Sequence, residues 1–140
     1  MRINKRFGNR RVTISNAKEG DLQKYKIQAK THELNDKERI NVIPNDNSRY
    51  YLKVQDIDSK LIGLIQVSEI DGTVAEVKIS IPNKSWDVRY GSEVVHQFVK
   101  YFLENKPYSR IYLRKNETVD RYKAERPEMF ANNNYYIDIA

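Results

Sequence analysis

The sequence predicts an α+β domain in which helices flank a central, mostly antiparallel sheet. Segments with strand and helix patterns alternate in the order β, α, β, β, β, α, β, α, β. The pair Asp71-Gly72 joins two apolar, β-branched segments, which is a strong signal for an antiparallel hairpin. The 140 residues suffice for one domain that buries its own core.

The first strand and helix follow a basic terminus. Residues 11–15 (RVTIS) alternate between apolar and polar side chains, as a half-buried strand does. Residues 21–34 carry apolar side chains at helical spacing. Residues 35–48 are polar and rich in turn-forming residues, so we assign them no regular structure.

A three-stranded meander is predicted next, at residues 50–57, 61–70 and 73–81. These segments are rich in aromatic and β-branched residues, which favour strands. The turns between them are Asp-Ser-Lys and Asp-Gly.

An amphipathic helix is predicted at about residues 90–105, where apolar side chains recur on one face. Gly91 precedes this apolar run, and we expect the helix to begin there. The first turn of a helix leaves backbone N–H groups unpaired, and these can bind phosphate. The glycine is therefore either an ordinary helix start or part of a phosphate site.

The C-terminal part is predicted to contain a strand, a short helix and a last strand, at residues 110–114, 117–125 and 135–139. The last strand alternates between two faces, so one face can pack on the core while the other stays partly wet. We expect it to pair with residues 110–114 or to do so in a second subunit of a two-fold dimer. The short connection favours pairing within one chain.

Composition excludes several kinds of chemistry. The chain has no cysteine, so disulfides, thiolate metal sites and cysteine nucleophiles are excluded. His32 and His96 lie in helical patterns among polar residues, and we expect both at the surface and no metal site. The longest apolar runs have about five residues, against about 20 needed to cross a bilayer. We expect a cytoplasmic protein without a membrane segment.

The net charge of +6 is concentrated at the N-terminus, since residues 1–18 hold six of the 25 bases and none of the 19 acids. We predict a basic arm at residues 1–10 and a single domain at residues 11–140. Such an arm can bind the phosphates of nucleic acid, but it is also typical of a solvated, frayed terminus.

The segment 61–95 resembles the central block of the GCN5-related N-acetyltransferase (GNAT) superfamily. In that block, a hairpin precedes a loop of type (Gln/Arg)-x-x-Gly-x-(Gly/Ala), which opens a helix. The matching positions are Glu76, Trp86, Tyr90, Gly91, Ser92 and Glu93. The chain departs from the pattern where Asp87 and Arg89 replace motif glycines.

The resemblance implies a GNAT-like acyl-CoA N-acyltransferase fold and transfer of an acetyl group from acetyl-CoA to an amine of a small molecule or protein. It implies Glu76 as the base and Tyr122 as the acid. Gly91 and Ser92 would hold the pyrophosphate with help from Arg89, and the backbone of residues 79–81 would pair with the pantetheine arm. The complete coenzyme site would comprise Ile79, Ser80, Ile81, Val88, Arg89, Gly91, Ser92 and Asn116.

Two other functions remain open. The chain could be a non-catalytic binding module whose basic arm contacts nucleic acid or an acidic protein, or a regulator that binds coenzyme A without turnover. Only ten residues follow Phe130, enough for one strand where the resembling family carries two. A second subunit would then complete the acceptor site, or the acceptor is held loosely, or none is turned over.

Overall fold

A computed structural model describes residues 6–32, 38–42 and 48–139 of the chain. Its strands are β1 (Phe7–Gly8), β2 (Val12–Asn16), β3 (Arg49–Asp56), β4 (Leu61–Glu69), β5 (Val74–Ser80), β6 (Arg110–Leu113) and β7 (Tyr136–Asp138). Its α-helices are α1 (Glu19–Thr31), α2 (Lys84–Asn105) and α3 (Glu117–Glu125), and two 3₁₀ turns cover Pro127–Met129 and Ala131–Asn133.

The described strands form one sheet in which spatial order follows chain order from β1 to β7. Neighbouring strands are antiparallel except β5 and β6, which are parallel because α2 crosses over between them. The predicted α+β class and the mostly antiparallel sheet are confirmed. The strand β1 was not predicted.

The two sides of the sheet have separate cores. On the α2 side, Val77 and Ile79 of β5 pack with apolar residues of α2 and α3, including Phe98. On the α1 side, Tyr25 of α1 packs with Leu64 of β4. Successive side chains of a strand point to opposite sides, so Glu76, Lys78 and Ser80 of β5 belong to the α1 side.

Strand β6 ends before β5 does, which leaves a gap in the sheet beside the end of β5. Pairing runs from Val74 with Arg110 to Val77 with Leu113, and the Val77 carbonyl accepts the last bond from the Arg114 N–H at 2.8 Å. Backbone groups two residues apart in a strand point the same way, so those of Ile79 also point toward the β6 side. There they face the gap, because β6 ends at Leu113.

The prediction that α2 begins at Gly91 is wrong, since the helix begins at Lys84. Asn83 caps it, with its side-chain oxygen accepting from the N–H groups of Ser85 (2.9 Å) and Trp86 (3.2 Å). An amphipathic pattern reports only the part of a helix that contacts the core, and the polar first turns of α2 lie outside that pattern.

Gly91 instead lies within α2, where the absence of a side chain lets α2 and α3 pack closely. A Cβ at this position would lie 2.5 Å from Asp87 Oδ1, 2.9 Å from Arg121 Nη2 and 3.0 Å from Thr118 Cγ2. A larger residue would therefore push α3 away from α2.

Both ends of the described chain join the sheet. Phe7 of β1 stacks on Tyr101 of α2 with ring centroids 3.9 Å apart, so part of the predicted basic arm packs on the domain. Strand β7 pairs with β6 of the same chain, from Arg110–Asp138 to Tyr112–Tyr136, which confirms intramolecular pairing. Within the described ranges, no helix is both long and apolar enough to cross a membrane.

Candidate functional site

Ile79, Ser80, Ile81 and Asn116 come together beside the gap. Asn116 caps α3 by accepting from the Val119 N–H at 2.9 Å, and its amide nitrogen donates to the Ile79 carbonyl at 2.6 Å. One side chain therefore holds the start of α3 against the end of β5. The Ile79 carbonyl is occupied by this bond.

The Ser80 hydroxyl is committed to a buried hydrogen-bond chain on the α1 side. The Tyr25 hydroxyl donates to Ser80 Oγ at 2.7 Å and accepts from the Ile40 N–H at 2.9 Å. Burial raises the pKa of Tyr25, so its hydroxyl stays protonated at neutral pH. These hydrogen bonds hold α1 and residues 38–42 over the end of β5.

Three backbone N–H groups at the start of α2 are already bonded within the chain. Asn83 occupies the N–H groups of Ser85 and Trp86, and its carbonyl accepts from the Asp87 N–H at 2.8 Å. The buried Asp87 carboxylate accepts from Thr118 Oγ1 at 2.6 Å and lies 2.7 Å from Arg121 Nη2. This Asp87 cluster fills the space where Gly91 faces α3.

Val88, Arg89 and Ser92 line a different region, a groove between α2 and α3 with a volume of about 430 Å³. The groove is lined by residues of α2, α3 and the β1–β2 turn: Arg11, Val88, Arg89, Ser92, Glu93, His96, Gln97, Arg121, Tyr122, Glu125 and Arg126. We call it the α2–α3 groove. Seven of the eight predicted coenzyme residues thus fall into two groups, one at the gap and one at this groove, whereas Gly91 packs against Asp87, Thr118 and Arg121.

The α2–α3 groove carries an excess of positive charge. Arg11 is held by Glu93 at 2.9 Å and donates to the Arg89 carbonyl at 3.2 Å. Arg89 and Arg126 are exposed and form no ion pair with any residue that the structure describes. Two guanidinium groups on opposite helices are therefore available to an anion.

Tyr122 lies in the core beneath this groove, and its hydroxyl is 3.1 Å from Nδ1 of His96. Burial raises the pKa of Tyr122 to about 12. Burial lowers the pKa of His96, and the charges of Arg126 and Lys100 lower it further. His96, predicted to lie at the surface, is partly buried and tied to Tyr122, whereas His32 is exposed.

Glu76 lies on the other side of the sheet from Tyr122. Its carboxylate is 3.4 Å from Arg114 Nη1, and its Cα partner on β6 is Tyr112. Tyr122 belongs to the core on the α2 side. The structure therefore does not bring together the two residues predicted as base and acid.

The sequence assigned no role to three polar residues near Glu76, namely Lys78, Tyr112 and Arg114. Tyr112 is 36% exposed, with its ring 5.4 Å from that of Tyr136. Lys78 donates to the Arg39 carbonyl at 3.4 Å. Burial is the main cause that lowers the pKa of Lys78, and the positive charge of Arg114 lowers it further. Strand alternation alone puts Lys78 on the face of Glu76, but only the parallel register of β5 and β6 brings Tyr112 and Arg114 there, and sequence patterns do not encode that register.

The arrangement at the gap can support proton transfer. Glu76 can accept a proton and Tyr112 can donate one, and the two residues are register partners on the α1 side, one pair before the gap. The cations of Lys78 and Arg114 can stabilise negative charge that develops there.

Comparison with known proteins agrees with this fold. Residues 11–118 match the family model described as the acetyltransferase (GNAT) domain. Comparison with functionally curated proteins gives no match.

Several solved structures share the architecture. Mutant forms of the spermidine/spermine N-acetyltransferase SpeG from Vibrio cholerae are 19% identical, with 94% of this chain and 95% of theirs covered and a TM-score of 0.63. A dodecameric structure of the V. cholerae spermidine N-acetyltransferase is 20% identical, with coverage of 94% and 95% and a TM-score of 0.62. A protein from Sphaerobacter thermophilus described as an acetyltransferase is 11% identical, with coverage of 89% and 80% and a TM-score of 0.68. At these identities the likeness extends to the fold alone.

Proposed function

Because the chain belongs to the acetyltransferase (GNAT) family, we propose that it transfers an acetyl group from acetyl-CoA to an amine bound on the α1 side of the sheet. The observation that carries this proposal is the gap beyond Val77 and Leu113. There the backbone of β5 has no strand partner on its β6 side, next to a carboxylate and a phenol on adjacent strands.

The pantetheine arm of acetyl-CoA would enter the gap as an added strand along residues 79–81. The Ile79 N–H points into the gap and is suited to an amide carbonyl of the arm. The Ile79 carbonyl already accepts from Asn116, so a pantetheine N–H would either share this oxygen with Asn116 or displace it. Asn116 would then be free to bond the arm itself.

The phosphates of acetyl-CoA would be held by side chains rather than by the start of α2. Asn83 and the Asp87 cluster occupy the helix start, which does not suit a pyrophosphate. Arg89 and Arg126 of the α2–α3 groove can instead make charge-assisted bonds to phosphate oxygens. Val88 and Ser92 line the same groove and would contact this end of the coenzyme.

Glu76 would take a proton from the acceptor ammonium group, which frees the nitrogen lone pair. The amine then attacks the thioester carbonyl, the new C–N bond forms, and the C–S bond breaks. Tyr112 would donate its proton to the departing thiolate and regain one from the nitrogen, which must lose a second proton to become the neutral amide, while Glu76 releases its proton to solvent. We assign this donor role to Tyr112 in place of Tyr122, whose hydroxyl is buried against His96.

The Asp87 cluster favours one alternative, a GNAT-fold binding module without catalysis. A carboxylate buried at the start of α2 repels a pyrophosphate, and its bonds to Thr118 and Arg121 hold it in place. In that case the α2–α3 groove and the basic N-terminal residues would bind another anionic partner.

One experiment separates the two functions. Acetyl-CoA is titrated into the protein while the melting temperature is followed, and acetyl transfer to a panel of amines is measured by mass spectrometry. A hundredfold excess over Kd is expected to stabilise the fold by about 2.7 kcal/mol. An unchanged melting temperature at millimolar acetyl-CoA, together with no acetylated product, would reject the enzyme and favour the binding module.

A further inference from the structure

Arg114 and Glu76 form an exposed ion pair beside the gap. The distance between Arg114 Nη1 and Glu76 Oε1 is 3.4 Å, and the side chains are 58% and 36% exposed. Exposed pairs of this kind stabilise a fold by about 0–1 kcal/mol. A ligand can therefore replace either partner at little cost.

The surrounding sheet surface on the α1 side is positively charged. Lys78, Arg110 and Arg114 lie there together with the acids Glu76 and Asp138. Asp138 is committed to Arg110 at 2.8 Å, and the Arg110 guanidinium also lies 4.1 Å from the centre of the Tyr136 ring. That leaves Glu76 as one acid facing the two cations Lys78 and Arg114.

We propose that the acceptor carries an oxyanion, a carboxylate or a phosphate, within a few bonds of its reactive amine, and that Arg114 binds this oxyanion. The proposal rests on the acetyl transfer proposed above and specifies its substrate class. The amine goes to Glu76 and the oxyanion to Arg114, so one zwitterionic ligand replaces both halves of the existing pair.

The same charges disfavour a polyamine. A spermidine molecule offers several ammonium groups, but this surface offers only the two described acids Glu76 and Asp138, and Asp138 is already held by Arg110 at 2.8 Å. The other ammonium groups of spermidine would lie near Lys78 and Arg114 and would be repelled by their positive charges. Arginine also suits the proposed role, because its planar fork can bind a carboxylate or phosphate through two parallel bonds.

Matched acceptors test the proposal. Acetylation of alanine is compared with that of alaninamide, and of phosphoethanolamine with ethanolamine, with spermidine as a further acceptor. Values of kcat/KM are corrected for the fraction of unprotonated amine. One charge-assisted bond corresponds to a preference of about tenfold to a hundredfold for the oxyanion-bearing member. The pair that shows the larger preference distinguishes carboxylate from phosphate.

Substitution at Arg114 links the preference to the residue. R114Q is expected to abolish the preference, because kcat/KM for the oxyanion-bearing acceptor falls about tenfold or more beyond any loss for its neutral partner. K100Q, which removes an exposed charge from α2, is the control and is expected to keep the preference. Equal losses for both acceptors in R114Q, or spermidine as the best acceptor of wild-type protein, would overturn the proposal.

Binding without turnover separates this inference from the proposed function. The ring signals of Tyr112 and Tyr136 are followed by NMR while alanine or phosphoethanolamine is added without acetyl-CoA. Binding that requires Arg114, without acetyl transfer to any acceptor, would retain the oxyanion site and reject the enzyme. Acetyl transfer with no dependence on Arg114 would retain the enzyme and reject the oxyanion site.

Discussion

Glu76 of β5 and Tyr112 of β6 are register partners in the one parallel pairing of the described sheet, and both lie on the exposed α1 side. Tyr122 lies on the opposite side with its hydroxyl bonded to His96. These positions give the two tyrosines different expected roles, one in proton transfer and one in the core.

We predict that Y112F lowers kcat for acetyl transfer by about a hundredfold, the lower range of general acid catalysis, with little effect on stability. Y122F is expected to leave kcat within about twofold and to lower the unfolding free energy by about 1 kcal/mol, because it removes the bond to His96. Steady-state kinetics and chemical denaturation measure the two effects. A larger loss of kcat in Y122F than in Y112F would contradict the assignment.

Two glycines in helices should respond oppositely to alanine. G91A is predicted to destabilise the protein by about 1–3 kcal/mol, since the new Cβ would lie 2.5 Å from Asp87 Oδ1 and crowd α3. G20A is the matched control, because a Cβ built there meets no atom within 4 Å apart from its chain neighbours and the nearby backbone of its own helix, and alanine favours helix by up to about 1 kcal/mol. Urea denaturation of both variants tests the packing role, and a neutral G91A would contradict it.

The phosphate-binding role of the α2–α3 groove predicts a salt-sensitive affinity for acetyl-CoA. R89Q and R126Q are each expected to raise Kd by about tenfold or more, because each removes a charge-assisted bond. K24Q, on the exposed face of α1, is expected to leave Kd unchanged. Isothermal titration at two salt concentrations measures these values. Unchanged affinity in both arginine variants would place the phosphates elsewhere.

We predict that the unfolding free energy depends on pH through His96. Its pKa is lowered in the folded state, chiefly by burial, so the unfolded chain binds the proton more readily. The contribution of His96 to the unfolding free energy is fully present above the ordinary histidine pKa of about 6.5. It is lost as the pH falls through the lowered pKa that His96 has in the folded protein. H96Q should therefore reduce the slope of unfolding free energy against pH below 6.5. An identical slope in the variant would show that other groups cause the acid sensitivity.

Local patterns predicted most elements because a local cause produces each of them. Alternation along β2, β5 and β7 and the Asp71-Gly72 turn depend on neighbours in sequence, and the structure confirms them. The short helix α3 spans the predicted residues, from Glu117 to Glu125. The start of α2 was wrong because its polar first turns are held by the Asn83 cap and by contacts with α3, outside the apolar pattern.

The sequence by itself determined the fold class, the order of most elements, the family resemblance and Glu76 as a candidate base. Only the tertiary structure decided which polar groups meet. In the folded protein, Tyr112 and Arg114 lie beside Glu76, Tyr122 lies on the opposite side of the sheet, and Asp87 is buried against Arg121. The physical reason is that side-chain periodicity is a property of one segment. Register between parallel strands and packing between helices depend on segments far apart in the chain, and their pairing appears only when the core closes.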